Sequence, residues 1–290
     1  MFERVALIGI GLIGSSLARG IRKHALARRI VCVDRDPDHV AIALELGIVD
    51  EATTELAAAV RGADLVVLCT PVGTFVGLAA LFASHCASGA IVSDVGSVKE
   101  LVVREVRPLL PANVHLVPAH PVAGTEHSGP AAGFAELFEG RWCILTPPAG
   151  CDETAVARVA ALWRQLGSMV EVMDAAHHDR VLAITSHLPH LIAYSIVDTA
   201  VGLEQSTQSE VIKFSASGFR DFTRIAASDP VMWRDIFLNN REAVLDILQR
   251  FTEDLTALQR AIRHGEGDRL QDVFTRTRAI RRSVIDAKQA

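Results

Sequence analysis

The chain has 290 residues, half of them hydrophobic and 22% charged, with a formal net charge of −5. That length exceeds what one compact core usually holds, so two domains are expected, with ample apolar material for both. The acidic balance, and the lack of a basic run before a mixed C-terminal helix, exclude nucleic acid and acidic membrane surfaces as expected partners.

Residues 5–14 read V-A-L-I-G-I-G-L-I-G. Four apolar residues lead into a Gly-x-Gly-x-x-Gly turn, and residues 15–22 continue it as a helix. Each glycine is there for a different physical reason. Gly9 allows the turn, Gly11 lets backbone approach a pyrophosphate, and Gly14 lets helix pack closely on strand. Free N–H groups at the helix start, with the helix dipole behind them, favour an anion. A second strand, residues 30–33, ends at Asp34, about 20 residues past the last glycine, where a ribose hydroxyl needs an acceptor. This order favours dinucleotide binding by Gly9, Gly11, Leu12, Ile13, Gly14 and Asp34 over a merely structural turn. The Asp34 carboxylate repels a 2′-phosphate, so NAD is expected rather than NADP. Arg35 beside it can partner such a phosphate or stack on adenine.

Residues 38–46 read as a helix ending at Gly47. Residues 65–69 form an apolar strand leaving through Thr70 and Pro71, and 75–82 a helix. Residues 90–93 form a strand ending at Asp94, 98–106 a helix, and 114–117 and 143–145 further strands. Strands alternating with helices predict a doubly wound parallel sheet, and their continuous apolar character fits strands covered on both faces. Ligands on such sheets collect at the carboxyl ends of the strands. There the sequence places the glycine turn, Asp34, Thr70-Pro71, Asp94 to Ser97 with Gly96 between, and His120-Pro121. From Asp174 the texture changes to long helical patterns at 175–201, 208–227, 231–263 and 268–287. The expected division is an α/β dinucleotide-binding domain over residues 1–172 and an all-helical domain over 173–290.

Three polar clusters are candidates for chemistry. In D-V-G-S-V-K at 94–99, Ser97 is either an N-cap or a site residue at the ligand edge. In H-P-V-A-G-T-E at 120–126, His120 is either a satisfied structural histidine or a proton acceptor held at a strand end, with an ordinary pKa near ~6.5. In S-H-L-P-H at 186–190, His187 and His190 share a helical face, with His177 and His178 upstream. No H-E-x-x-H pattern supports them as metal ligands, and no metal is expected. Arg224, between Phe222 and Ile225, is expected to be partly buried and to want a carboxylate, structural or substrate.

These motifs, with D-F-T-R-I-A at 221–226 and S-D-P-V-M-W at 228–233, occur in order over nearly the whole chain. Together they resemble the prephenate/arogenate (cyclohexadienyl) dehydrogenase family, which performs an oxidative decarboxylation in tyrosine biosynthesis. The resemblance implies a Rossmann domain joined to a helical domain that forms a homodimer, acting on a small-molecule substrate. It implies that His120 is the hydrogen-bond partner of the ring hydroxyl, with Ser97 beside it. Arg224 would clamp a substrate carboxylate, with His190 and His187 at the substrate and Thr125 in the same loop as Glu126. Thr70, Pro71, Asp94 and Gly96 would join the cofactor-binding set. Glu126 is an acid able to pair with the ammonium that distinguishes arogenate from prephenate, or a loop carboxylate. No length remains after the helices for a regulatory ACT domain or a fused mutase.

Two other readings use the same architecture. A β-hydroxyacid dehydrogenase of the 6-phosphogluconate type would rely on a lysine in the helical domain, for which Lys213 is the candidate. A non-enzymic nucleotide sensor would not need His120, Ser97 and Arg224 together. The five cysteines, Cys32, Cys69, Cys86, Cys143 and Cys151, form no C-x-x-C, and Cys32 and Cys69 fall within apparent strands as small apolar fillers. A reduced, cytoplasmic setting is expected. The first strand begins almost at Met1, leaving no room for a signal peptide, and no apolar run is expected to reach spanning length.

Overall fold

The computed structural model describes residues 1–125, 127–202 and 217–286. Glu126 and Lys213 therefore lie outside the described residues, as does the first part of the helix expected over 208–227. Packing divides the chain into two compact units, Met1–Ala243 and Val244–Ala290.

In the first unit, β1 (Phe2–Ile8), β2 (Ala27–Val33), β3 (Glu51–Thr53), β4 (Leu65–Leu68), β5 (Ile91–Asp94) and β6 (His115–Leu116) form one sheet. Its order is β3-β2-β1-β4-β5-β6, and every pairing is parallel. Alternate side chains along each strand enter different cores, which is why the strands read as unbroken apolar runs. Val5, Leu7, Ile30, Cys32, Leu65 and Val67 face α1 (Leu12–Lys23) and α5 (Glu153–Gln165), where Leu17, Ile21, Val159 and Trp163 are buried. Ala6, Ile8, Val31, Val33, Val66 and Leu68 face the other way. After α2 (Pro37–Glu45) and α3 (Leu56–Val60), their partners include Phe75 and Phe82, at the ends of α4 (Phe75–Phe82), and Val102. Each fully buried phenylalanine contributes roughly 1.5–3 kcal/mol.

A second sheet, order β7-β8-β9, departs from the expected layout. It joins β7 (Ala119–Pro121), β8 (Trp142–Leu145) and β9 (Met169–Val172), with β7 antiparallel to β8. The sequence pattern puts His120 at the end of the 114–117 strand. It lies instead inside β7, opposite Ile144. The cause is Pro118: the parallel ladder runs to Val117, whose N–H donates to Val92, and Pro118 has no N–H to continue it. Cys69 likewise falls just past the end of β4, and all five cysteines are free thiols.

The helical part begins with α6 (Ala175–Leu182), a π-helical turn (Ala183–His187) and α7 (Leu188–Val201). Asp174 caps it by accepting from the His177 N–H. The most apolar 18-residue window of this 27-residue run has a mean hydropathy of 1.2, so the run is long and apolar enough to cross a membrane, where the sequence reading expects no such run. Only 28% of its most apolar stretch is buried within the chain. Its His178, Asp179 and His187 nevertheless hydrogen-bond to residues far away in sequence, a use of polar groups that a bilayer core does not offer. Beyond it lie α8 (Ser217–Thr223) and α9 (Pro230–Asn239). Trp233 and Ile236 of α9 enter the same core as Phe75, so these helices belong to the sheet's compact unit, which extends well past residue 172. The helix expected over 231–263 breaks at Asn240, and α10 (Arg241–His264) and α11 (Gly267–Asp286) follow.

Candidate active site

The glycine turn sits at the carboxyl end of β1, and its three glycines differ in conformation and surroundings. Gly9 has φ +97°, a left-handed conformation that side chains avoid. A Cβ on Gly14 would lie 2.2 Å from the Gly9 carbonyl oxygen, so any larger residue would push α1 off the strand. A Cβ on Gly11 would meet nothing within 4 Å, leaving the start of α1 open. The first turn of α1 carries no acidic residue and no side-chain cap, so its N–H groups are available to a phosphate. Asp34 closes the turn: its carboxylate accepts from the N–H groups of Ile10 at 3.0 Å and Asp36 at 3.1 Å. Arg35 is exposed beside it, and Thr70 bonds Thr74 at the end of β4 next to Pro71. These residues fit a dinucleotide.

At the end of β5 the chain turns through Asp94, Gly96 and Ser97. Asp94 is fully buried, and its Oδ2 accepts from the Gly96 N–H at 2.8 Å and from Lys99 Nζ. Its side chain thus holds the turn together from within. Burial pushes the Asp94 carboxyl up and the Lys99 ammonium down, while their mutual attraction opposes both shifts. A Cβ on Gly96 would crowd Phe75 and Asp94. Ser97 is half-buried and does not cap the following helix. The N–H groups of Lys99 and Glu100 are instead taken by the Asp179 carboxylate, at 2.8 and 2.9 Å.

Lys99 Nζ also donates to the Ala119 carbonyl at 2.7 Å, which ties the end of β5 to the strand carrying His120. His120 is buried, and its Nδ1 lies 2.8 Å from His178 Nε2; His178 Nδ1 lies 2.7 Å from Asp179 Oδ1. The hydrogens can be assigned by elimination. Both Asp179 oxygens already accept backbone N–H bonds, so the side chain acts as an acceptor, and His178 donates from Nδ1 and accepts at Nε2. His120 then donates from Nδ1 and keeps its Nε2 lone pair. Burial lowers the His120 pKa well below 6.5, and the nearby His178, Lys99 and His187 lower it further.

His190 stacks on Trp233 at 3.6 Å between ring centroids and donates from Nδ1 to the Ser186 carbonyl at 2.9 Å. Burial lowers its pKa, and Arg224 is near enough to lower it further. Arg224 itself is exposed, contrary to the expected partial burial, because the short 3₁₀ turn Arg224–Ala227 follows α8 along the surface. Thr125 is exposed and its Oγ1 accepts from the His127 N–H. The structure therefore gathers His120, His187 and His190. It adds four residues that the sequence reading does not single out for a role: His178, Asp179, Lys99 and Asn240. The one available signal is the histidine–aspartate pair at the start of a helix.

The family profile for the prephenate dehydrogenase nucleotide-binding domain matches residues 17–172, and that for the prephenate dehydrogenase dimerisation domain matches residues 174–276. The chain belongs to the prephenate dehydrogenase family. It is therefore a nicotinamide-dependent dehydrogenase of the prephenate/arogenate type, with a dinucleotide-binding sheet domain and a helical dimerisation domain. A cyclohexadienyl dehydrogenase from Zymomonas mobilis is 41% identical over 281 residues, covering 97% of this chain and 96% of that protein. The crystal structure of prephenate dehydrogenase from Aquifex aeolicus, in complex with hydroxyphenyl propionate and NAD+, is 34% identical with a TM-score of 0.91. It covers 98% of this chain and 99% of that one. The Synechocystis arogenate dehydrogenase structure is 27% identical with a TM-score of 0.81, covering 96% and 98%. Family membership leaves no place for the hydroxyacid dehydrogenase and sensor readings.

Proposed function

We propose that this dehydrogenase oxidises prephenate and arogenate with NAD, using His120 as the proton acceptor. The observation that carries this is the ordered chain Asp179, His178, His120, which leaves the His120 Nε2 lone pair free on a ring that stays neutral. In the substrate, C4 carries a hydroxyl and C1 a carboxylate. The nicotinamide supplies the acceptor for the C4 hydride. His120 Nε2 takes the hydroxyl proton as that hydride departs, so the C4 oxygen becomes a carbonyl without a strongly acidic intermediate. As the C1 carboxylate leaves as carbon dioxide, the pair of the broken bond passes into the ring and on to the C4 oxygen, which takes its proton back from His120; the ring is then aromatic and the step effectively irreversible. Ser97 lies in the turn beside this chain and serves the same hydroxyl.

Arg224 and His190 hold the substrate side chain, the guanidinium pairing with its carboxylate. Gly11, Leu12, Ile13 and Gly14 at the start of α1 would hold the phosphates, Asp34 would take the ribose, and Thr70, Pro71 and Gly96 would line the cofactor edge. Residue 173 is the junction between the nucleotide-binding and substrate-binding parts, and dimers form through the helical part. A cytoplasmic setting suits five free thiols. The Zymomonas relative's name, cyclohexadienyl dehydrogenase, favours use of both substrates, with Thr125 and the neighbouring acid in sequence, Glu126, contributing. Absorbance at 340 nm with prephenate, arogenate and a panel of hydroxyacids tests the reading. Turnover of a hydroxyacid alone would overturn it.

A further inference from the structure

Asn240 follows α9 and is buried, and its amide nitrogen faces two groups at once. Nδ2 lies 2.9 Å from the Asp179 carbonyl oxygen and 3.1 Å from His187 Nδ1. A carbonyl oxygen only accepts, so the atom facing it is the NH2 and not the amide oxygen. The second hydrogen of that NH2 then points at His187, whose Nδ1 must be the lone-pair nitrogen. A neutral His187 consequently carries its hydrogen on Nε2. That nitrogen is buried and has no hydrogen-bond partner among the described residues, and the ring as a whole is fully buried.

We propose that Asn240 is a positioning residue: it fixes His187 as the Nε2–H tautomer, so that the ring presents a neutral donor to an anionic oxygen of the bound acid substrate. The neighbouring ring supports this independently. Trp233, whose centroid lies 6.1 Å from that of His187, has a buried Nε1–H that also lacks a partner among the described residues. An indole nitrogen only donates. Two unmet donors side by side match an oxygen-bearing ligand and not a cation. His187 stays uncharged because its pKa is lowered to about 4, chiefly by burial, with Asp179 opposing and His178 and His190 assisting. The proposal rests on the reading that the site takes a ring acid held by His190 and Arg224.

The test begins with nitrogen-15 NMR of the full wild-type chain, with His187→Gln assigning the ring. From about pH 6 to 8 the spectrum should show Nδ1 unprotonated and Nε2 protonated. The opposite tautomer would overturn the proposal. Adding hydroxyphenyl propionate with NAD+ should move the Nε2–H resonance, and an unmoved resonance would reject the contact with substrate. Kinetics give a second route. Asn240→Asp faces His187 Nδ1 with an acceptor and should draw the ring hydrogen there. KM should rise roughly tenfold and become pH-dependent, while kcat changes much less. Asn240→Ala, which frees the ring without offering it a new acceptor and also removes the donor to the Asp179 carbonyl, should raise KM less and add no pH dependence. Wild-type KM with a wild-type pH profile in both variants would sink the idea. A wild-type chain inactive on prephenate and arogenate would instead refute the proposed function, leaving the tautomer measurement standing.

Discussion

His120 and His178 share a single hydrogen bond, Nδ1 to Nε2 at 2.8 Å, with their rings turned 70° apart. Because His178 is anchored by Asp179, that bond fixes both the orientation of His120 and the nitrogen it leaves free. His120→Asn should therefore retain substrate binding and lose kcat by ~10²–10⁴-fold. Steady-state kinetics decide the matter, and turnover close to wild type would remove His120 from its role.

Asp179 does two things with one carboxylate, anchoring His178 and closing the start of the helix after Ser97. An amide in its place must present an NH2 to one of three donors. Asp179→Asn should thus cost about 1–3 kcal/mol of stability and, by freeing the His178 tautomer, lower kcat by ~10²-fold. Thermal unfolding and kinetics measure the two effects separately. A stability loss with unchanged kcat would make Asp179 a helix cap alone.

Acid should harm both activity and stability. His120, His178, His187 and His190 all have pKa values lowered by burial, that of His187 to about 4. Below about pH 6.5 the unfolded chain takes up protons that the folded chain still refuses. Their contribution to stability is therefore complete above that pH and is lost as pH falls toward the folded values. The slope is ~1.4 kcal/mol per pH unit for each group titrating fully in the unfolded state alone. Tm should fall steadily from pH 7 to about 4.5. The acid limb of kcat/KM should lie below the ordinary histidine range, because neutral His120 is the active form. A limb at about 6.5 or above would contradict the buried assignment.

Arg224→Ala should raise KM by roughly 10–100-fold with a smaller change in kcat, since a charged hydrogen bond to the substrate carboxylate is lost. Circular dichroism separates a loss of binding from a loss of fold. An unaltered KM would make Arg224 a surface residue only.

Cofactor choice rests on Asp34, whose two oxygens already accept from Ile10 and Asp36 and so keep the carboxylate facing the turn. NAD should give the higher kcat/KM, and Asp34→Ser should narrow the gap to NADP. A wild-type preference for NADP would show that Arg35 governs the choice.

What the sequence discloses is local. The turn at Gly9 to Gly14 and its acid at Asp34 are readable because each residue's role is defined by near neighbours and by the strands around them. The alternation of strand and helix likewise follows from residues close together in the chain. The hydrogen-bonded network is hidden for the opposite reason. His120 meets His178 across 58 positions, Lys99 meets Asp179 across 80, and Asn240 meets Asp179 across 61. No spacing rule links such pairs. His120 is recognisable as a candidate, but its strand is not, because only tertiary pairing shows that the chain leaves one sheet at Pro118 and joins another.

Lys99 gives the site a mechanical property that no single contact conveys. Its ammonium braces the end of the central sheet against the strand bearing His120, while its own amide is gripped by the Asp179 carboxylate, which anchors His178. The turn at Asp94 and the strand that carries His120, the proton acceptor of the proposed reaction, are thereby bolted to one residue. Thermal motion displaces both together, so their separation is set when the chain folds and need not be re-established at each turnover.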